Sequence, residues 1–318
     1  MANKPVVCLG MSCVDVLIRN IRKKNTVDED QIADEFSLAL GGDALNQCRV
    51  LNRLGVPAKL VSTCGSDQFG DIMLNLCEEE KIDTSYVQKV DNVPTSVSFV
   101  CIKKDGSRSF IVQESGSVNN FSYANVPEDL LEENGGLLCI GSIGGSEKFT
   151  GEDYQKLFSK AHEKGYNIVA DMVNNCGTDK RKEMLNALRE VDYLIPSRDE
   201  VLYYTGMEDL DKGAEVLYQA GVKNLVIKDG VRGSRIYEKG ICTEIIPAYT
   251  VKAVDTTGAG DTFVGGFAAA ISRGYLLQEA VRFATAVSAI SVQHYGAGAG
   301  IESEQQILDF ILYQSQKV

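Results

Sequence analysis

Apolar positions along the chain follow two rhythms that take turns. Short unbroken runs such as "PVVCLG", "AKLVSTCG", "GGLLCIGS", "NIVAD", "DYLIP" and "NLVIK" have the length of buried strands. Between them lie segments in which apolar residues return every three or four positions. In "GGDALNQCRVLNRLG" these are Leu45, Cys48, Leu51 and Leu54, and Gly55 is the helix stop. "DQFGDIMLNLCEEEK", "GEDYQKLFSKAHEKG", "RKEMLNALREV" and "KGAEVLYQAG" read the same way. Strands alternating with helices of this length join through right-handed crossovers. The pattern therefore predicts an α/β fold with a central, mainly parallel sheet and helices on both faces.

Two regions break the alternation. Residues 14–40 hold two extended stretches around a polar middle, and "TSVSFVCIKKDGSRSFIVQ" alternates with period two on either side of Asp105-Gly106, a hairpin signal. Together they predict a small β-sheet lid, discontinuous over about 14–40 and 96–114, on a single α/β domain spanning residues 1–318. After Val254 the pattern turns helical in "AGDTFVGGFAAAISRG", "LQEAVRFATAVSAISVQHYG" and "ESEQQILDFILYQ".

Composition mainly excludes. The 318 residues are 44% hydrophobic and 24% charged, the makeup of a folded domain. A net charge of −12 repels phosphate backbones and anionic lipid at long range, which argues against nucleic-acid and membrane partners. A small anion held locally by backbone amides is still compatible with it. The nine cysteines are odd in number and mostly sit in apolar runs, so they read as reduced core residues, and neither they nor His162 and His294 are spaced as zinc ligands. The N-terminus has no apolar segment of signal-peptide length, so the expected location is the cytoplasm.

The chemistry concentrates in "DTTGAGDTFVGGF", residues 255–267. A helix N-terminus exposes unpaired N–H groups and the positive end of a dipole, and Gly258 and Gly260 let backbone approach an anion there. Asp261 has two readings from the turn alone: a helix cap, or a general base beside a bound phosphoryl group. Better-known phosphate motifs are missing. There is no Gly-x-x-x-x-Gly-Lys-Ser/Thr, and Phe263 stands where a dinucleotide fingerprint needs glycine.

This stretch resembles, without a gap, the C-terminal signature of the ribokinase-like (PfkB) carbohydrate kinases. "GGDALNQCRVLNRLG" resembles the family's paired-glycine motif, "CLGMSCVDVLI" its opening strand, "VIKDGVRGSRIY" its nucleotide-side strand and turn, and "HYGAGAGI" its C-terminal loop. The elements span about residues 6 to 301 in the family's order. The resemblance implies a ribokinase-like fold and a kinase that moves the γ-phosphoryl of ATP, with Mg²⁺, to a hydroxyl of a small sugar or sugar derivative, a primary alcohol by preference.

Carried over residue by residue, Asp261 is the base, and the amides of Gly258, Ala259 and Gly260 form the anion hole. Asp15, Gly41, Gly42, Asp43 and Asn46 face the sugar, with Asp43 open between substrate contact and helix capping. Lys228, Gly230, Gly233, Ala286 and Ala289 fall on the nucleotide side, although Lys228 also reads as a strand-end lysine and the alanines as ordinary packing. In the family's Asn-x-x-Glu magnesium motif Glu200 matches, but Ser197 replaces the asparagine. Asp255 and Thr257, with the "GAGAG" loop, correspond to a monovalent-cation site in K⁺-activated relatives, or else only hold the turn. The lid pairs between subunits in many relatives, which raises a homodimer. A nucleoside kinase, with Phe36, Phe99 and Phe110 as stacking candidates, and a non-catalytic sensor are the rival readings. Hexoses, pentoses and their keto-derivatives are favoured over sugar acids, because "SRSFIVQES" lacks the tyrosine- and arginine-rich stretch of acid-specific relatives.

Overall fold

The computed structural model describes residues 5–23, 31–103, 108–133, 135–174 and 180–316. The hairpin tip expected at Asp105-Gly106 lies outside the described residues, as does Cys176. The first apolar run forms β1 (Val6–Gly10), and its alternate residues enter different cores: Val6 and Cys8 on one face, Val7 and Leu9 on the other. Both faces being covered, no polar residue interrupts the run.

Beyond β1 the chain leaves the main sheet as β2 (Cys13–Arg19), forms a ribbon of β3 (Arg22–Lys23) and β4 (Gln31–Ile32), and returns as β5 (Glu35–Gly41). Then come α1 (Asp43–Arg53), β6 (Ala58–Gly65), α2 (Gln68–Glu79) and β7 (Asp83–Val90). β8 (Val97–Ile102) and β9 (Arg108–Val112) return to the small sheet, and α3 (Ser117–Asn120) leads back to the main one. The alternation resumes with β10 (Gly136–Ile143), α4 (Gly151–Glu163), β11 (Tyr166–Met172), α5 (Arg181–Ala187), β12 (Tyr193–Leu194), α6 (Arg198–Thr205), α7 (Leu210–Gln219) and β13 (Asn224–Lys228). β14 (Ser234–Glu238) and β15 (Ile241–Ile246) precede α8 (Ala259–Ser272), α9 (Leu277–Ser291) and α10 (Glu304–Ser315).

The main sheet has the order β15-β14-β13-β12-β11-β10-β1-β6-β7. It is parallel from β13 to β7 and antiparallel at β14 and β15. α1, α2, α8, α9 and α10 pack on one face, and α4 to α7 on the other. The small sheet, order β5-β2-β8-β9, is separate. Its strands are antiparallel except for the parallel pair β2 and β8.

Two helix crossings bring distant motifs together. A Cβ on Gly265 of α8 would lie 2.8 Å from the Val50 Cβ of α1, and one on Gly266 would lie 3.0 Å from Val287 of α9. The paired glycines of "VGGF" thus let three helices approach closely, which places the N-terminus of α8 beside α1. Among the described residues no helix is long and apolar enough to cross a membrane.

Candidate active site

Asp261 does not cap its helix. The cap position belongs to Gly258, in the left-handed region at φ 62°, and no side chain accepts a hydrogen bond there. A Cβ on Gly258 would lie 2.3 Å from that of Ala297, so only glycine fits this turn. Asp261, in the first turn, instead accepts from Asn46 Nδ2 at 2.8 Å. Burial pushes its carboxyl up from the usual range; Asn46 and Lys228 pull it down, and Asp171 adds to the rise.

The paired-glycine motif meets it from the other direction. Gly42, at φ 93°, holds the cap position of α1, and a Cβ there would lie 2.6 Å from the Met11 carbonyl. Asp43 is therefore not the cap; its carboxylate accepts from Ser142 Oγ. Burial holds the Asp43 carboxyl well above the usual range, and the charge of Asp261 raises it further. A Cβ on Gly41 would sit 2.5 Å from the Asp15 carboxylate, so this glycine makes room for that side chain. Asp15 is pushed up to about 6, chiefly by burial and partly by Asp261, against the hydrogen bond from Cys13 Sγ at 3.6 Å and the charge of Arg49.

Lys228 does not snorkel outward. Its Nζ donates to Asp171 Oδ2 at 2.5 Å and lies 3.3 Å from where a Gly260 Cβ would be, over the first turn of α8. Burial opposes its charge, but Asp171 and Glu200 more than offset this and raise its pKa. Glu200 is pushed up to about 7 by burial and by Asp171. Ser197 caps α6: its Oγ accepts from the Glu200 amide at 3.3 Å, and the Ser197 amide donates to Glu200 Oε2 at 2.5 Å. This reciprocal capping box gives Ser197 a definite role where the sequence leaves it open.

Asp255 ties two loops together. Its Oδ1 accepts from the Thr257 amide at 2.9 Å and from Thr257 Oγ1 at 2.7 Å, and its Oδ2 accepts from the Gly296 amide at 2.9 Å. Gly233, at φ 91°, admits no side chain, since a Cβ would lie 2.0 Å from the Ile246 carbonyl, whereas Gly230 faces open space. Ala286 is fully enclosed in the core cluster, and Ala289 keeps only a sliver of exposed surface. As the chain stands, Ala286 presents no face to a ligand.

Asp15, Asp43, Asn46, Glu200, Lys228 and Asp261 thus converge. The structure adds Asp171, which sequence reasoning passed over although a signal existed: it closes the apolar run "NIVAD" as Lys228 closes "NLVIK". An acid and a base that end nearby buried strands are candidates to pair. Four carboxyls, Asp43, Asp171, Glu200 and Asp261, feel the charge of Lys228, and Asp15 feels that of Asp261; such a group suits a ligand that brings hydroxyl donors, and a divalent cation.

A family model described as pfkB family carbohydrate kinase matches residues 3–304. A ribokinase of Haemophilus influenzae is 30% identical over 288 residues, covering 89% of this chain and 90% of its own. A probable fructokinase-5 of Arabidopsis thaliana is 28% identical, over 93% of this chain and 94% of its own. The structure of Arabidopsis thaliana ribokinase complexed with ribose and ATP superposes with a TM-score of 0.76 at 27% identity, over 98% of this chain and 99% of that one.

Proposed function

The chain belongs to the pfkB family of carbohydrate kinases, and from that premise we propose how its cleft transfers the γ-phosphoryl group of ATP to a hydroxyl of a neutral sugar. Asp15, Asp43 and Asn46 accept and donate hydrogen bonds to the sugar's hydroxyls. Asp261 takes the proton of the attacking hydroxyl, and its burial makes it a stronger base than a solvated aspartate. The amides of Gly258, Ala259 and Gly260 and the ammonium of Lys228 meet the negative charge of the transferred group. Gly230 and Gly233 shape the turn on the nucleotide side, and Ala289 borders it. The small sheet closes over the cleft and excludes water that would compete as acceptor.

Glu200 and Asp171, two carboxyls close to Lys228, are the donor set that fits Mg²⁺ bound through water. When bound, the ion would neutralise the triphosphate. Asp255, Thr257 and the loop 296–300 are where a monovalent cation such as K⁺ would order the anion hole.

The observation that carries the reading is the 2.8 Å hydrogen bond from Asn46 to Asp261, which joins a sugar-side helix to the proposed base across 215 residues of sequence. The five clustered carboxyls disfavour a sugar acid, whose own charge they would repel. They suit hexoses, pentoses and their keto-derivatives.

The nucleoside alternative loses ground in the register of the small sheet. Asp15 lies opposite Ala39 and Ser98, and residues opposite one another share a face. Phe36 and Phe99 fall on the other face, and of the three stacking candidates only Phe110 shares the side of Asp15. The outward face, with exposed Phe36, Leu38, Phe99 and Ile111, is the surface a homodimer would cover, and the solution mass measured by sedimentation equilibrium tests it. A coupled ADP-release screen over sugars, polyols, sugar acids and nucleosides, with and without K⁺, tests the function. Turnover confined to nucleosides, or none with any acceptor, would overturn it.

A further inference from the structure

One face of α1 reaches the C-terminal part of the chain three times. Asn46, Arg49 and Arg53 stand at i, i+3 and i+7, in line along the helix. Asn46 meets Asp261; Arg49 Nη1 donates to the Ala297 carbonyl at 3.1 Å, and Arg53 Nη1 to the Gly298 carbonyl at 2.6 Å. A single carboxylate braces both arginines. Glu80, just after α2, accepts from Arg49 Nε at 2.8 Å and Nη2 at 2.6 Å, and from Arg53 Nη2 at 3.1 Å. Burial favours the protonated form of Glu80, but the two guanidinium groups outweigh it and hold the carboxyl below its usual range. The cluster is therefore an ionised, fork-shaped brace, the geometry in which arginine fixes direction as well as distance.

The residues held by this brace also contact the anion turn. The Ala297 methyl occupies the space a side chain on Gly258 would need, and the Gly298 amide donates to Thr262 Oγ1 in α8 at 3.1 Å. We propose that Arg49 and Arg53, braced by Glu80, are positioning residues for phosphoryl transfer: they press the 296–300 loop onto Gly258 and so fix the amides of the α8 turn relative to Asn46. The catalytic consequence rests on the kinase reading above, while the mechanical part stands on the hydrogen bonds alone.

Two measurements on the full chain separate these parts. The first is hydrogen–deuterium exchange of the ligand-free protein, read in peptides covering 256–262 and 296–300. The second is steady-state kinetics with whichever sugar the wild type accepts. Arg53→Met, at a partly exposed site and so the variant expected to fold, should speed exchange in both peptides by roughly threefold or more while leaving β1 and β10 unchanged. It should lower kcat about tenfold and alter the KM for sugar less than about twofold. Arg53→Lys, which keeps one donor for the Gly298 carbonyl, should recover most of both. Arg49→Gln should move in the same direction and further. Unchanged exchange in folded Arg53→Met overturns the brace. Faster exchange with wild-type kcat overturns its catalytic role, and a lowered melting temperature with wild-type kcat below it reduces the cluster to a stabilising one. If the wild type turns over no sugar, the kinase reading fails and the exchange measurement still decides the brace.

Discussion

On the proposed phosphate side of the cleft the parts are mostly backbone, with the side chain of Lys228 over the turn: a left-handed Gly258, the amides that follow it, and a loop packed so closely that a single Cβ would collide with Ala297. On the proposed sugar side they are side chains, Asp15, Asp43 and Asn46, and the neighbouring Gly41 is small because the Asp15 carboxylate needs the space. The difference is instructive. A phosphoryl group is the same whatever it is moved to, so its site can be built from amides whose positions the glycine pattern dictates. A sugar's hydroxyls differ from one acceptor to the next, and their site must be written in side chains that can be exchanged without disturbing the fold.

The sharpest way to break this comparison is Asp261→Asn, which removes the proton acceptor while nearly preserving shape. Turnover should fall by roughly 10²–10⁴ with the melting temperature little changed, and wild-type kcat in the folded variant would remove Asp261 as base. Next is Gly258→Ala, which forces a left-handed alanine against Ala297. A strain of about 1–3 kcal/mol should appear in denaturant unfolding, with kcat reduced for every accepted sugar alike. A loss for one sugar only would mean that the backbone side also sets specificity.

Asp15→Ala tests the other side. Leaving a sugar hydroxyl unpaired in a closed site should cost about 1–3 kcal/mol and raise the KM for sugar about tenfold, with the KM for ATP near wild type. Impaired ATP binding with sugar binding intact would put Asp15 on the wrong side of the comparison.

The smallest effect is on stability. The Asp15 carboxyl, raised to about 6 chiefly by burial, binds its proton more tightly folded than unfolded. Its stabilising contribution is present below the unfolded value, near 4, and is lost as pH rises through about 6. Asp15→Asn lacks that loss, so its melting temperature relative to wild type should rise by roughly 1–3 °C between pH 4 and pH 8. A difference independent of pH would mean that Asp15 does not titrate as a buried acid.

The alternation of apolar runs with helices was enough to read the parallel body of the sheet, because strands covered on both faces carry no polar residues. Its edges were not legible in that way. β7 mixes exposed and half-buried positions, so "DTSYVQKV" has no continuous apolar run, and β14 and β15 double back as antiparallel strands that the alternation of runs and helices does not announce. The left-handed turn that opens α8 was legible because glycines announce an unusual backbone. Its partners were not: nothing near Arg49 in sequence says that its acceptor lies at Ala297. The second half of "DTTGAGDTFVGGF" taught a different lesson, since Gly265 and Gly266 serve the crossing of α8 with α1 and α9 rather than the ligand.

The contacts of α1 also set a timetable. Asn46 waits for Asp261 across 215 residues and Arg49 for Ala297 across 248. At about 5–20 residues per second of synthesis, that is roughly 10–50 s during which the helix exists and its partners do not. Over that interval Val50, fully buried in the finished protein, lacks the cover that Gly265 of α8 will bring. A nascent chain halted before α8 would therefore carry an open apolar face and half an active site, exposed to aggregation and proteolysis. The last sixty residues are as much a condition for the first helix to be safe in the cell as for phosphate to be held.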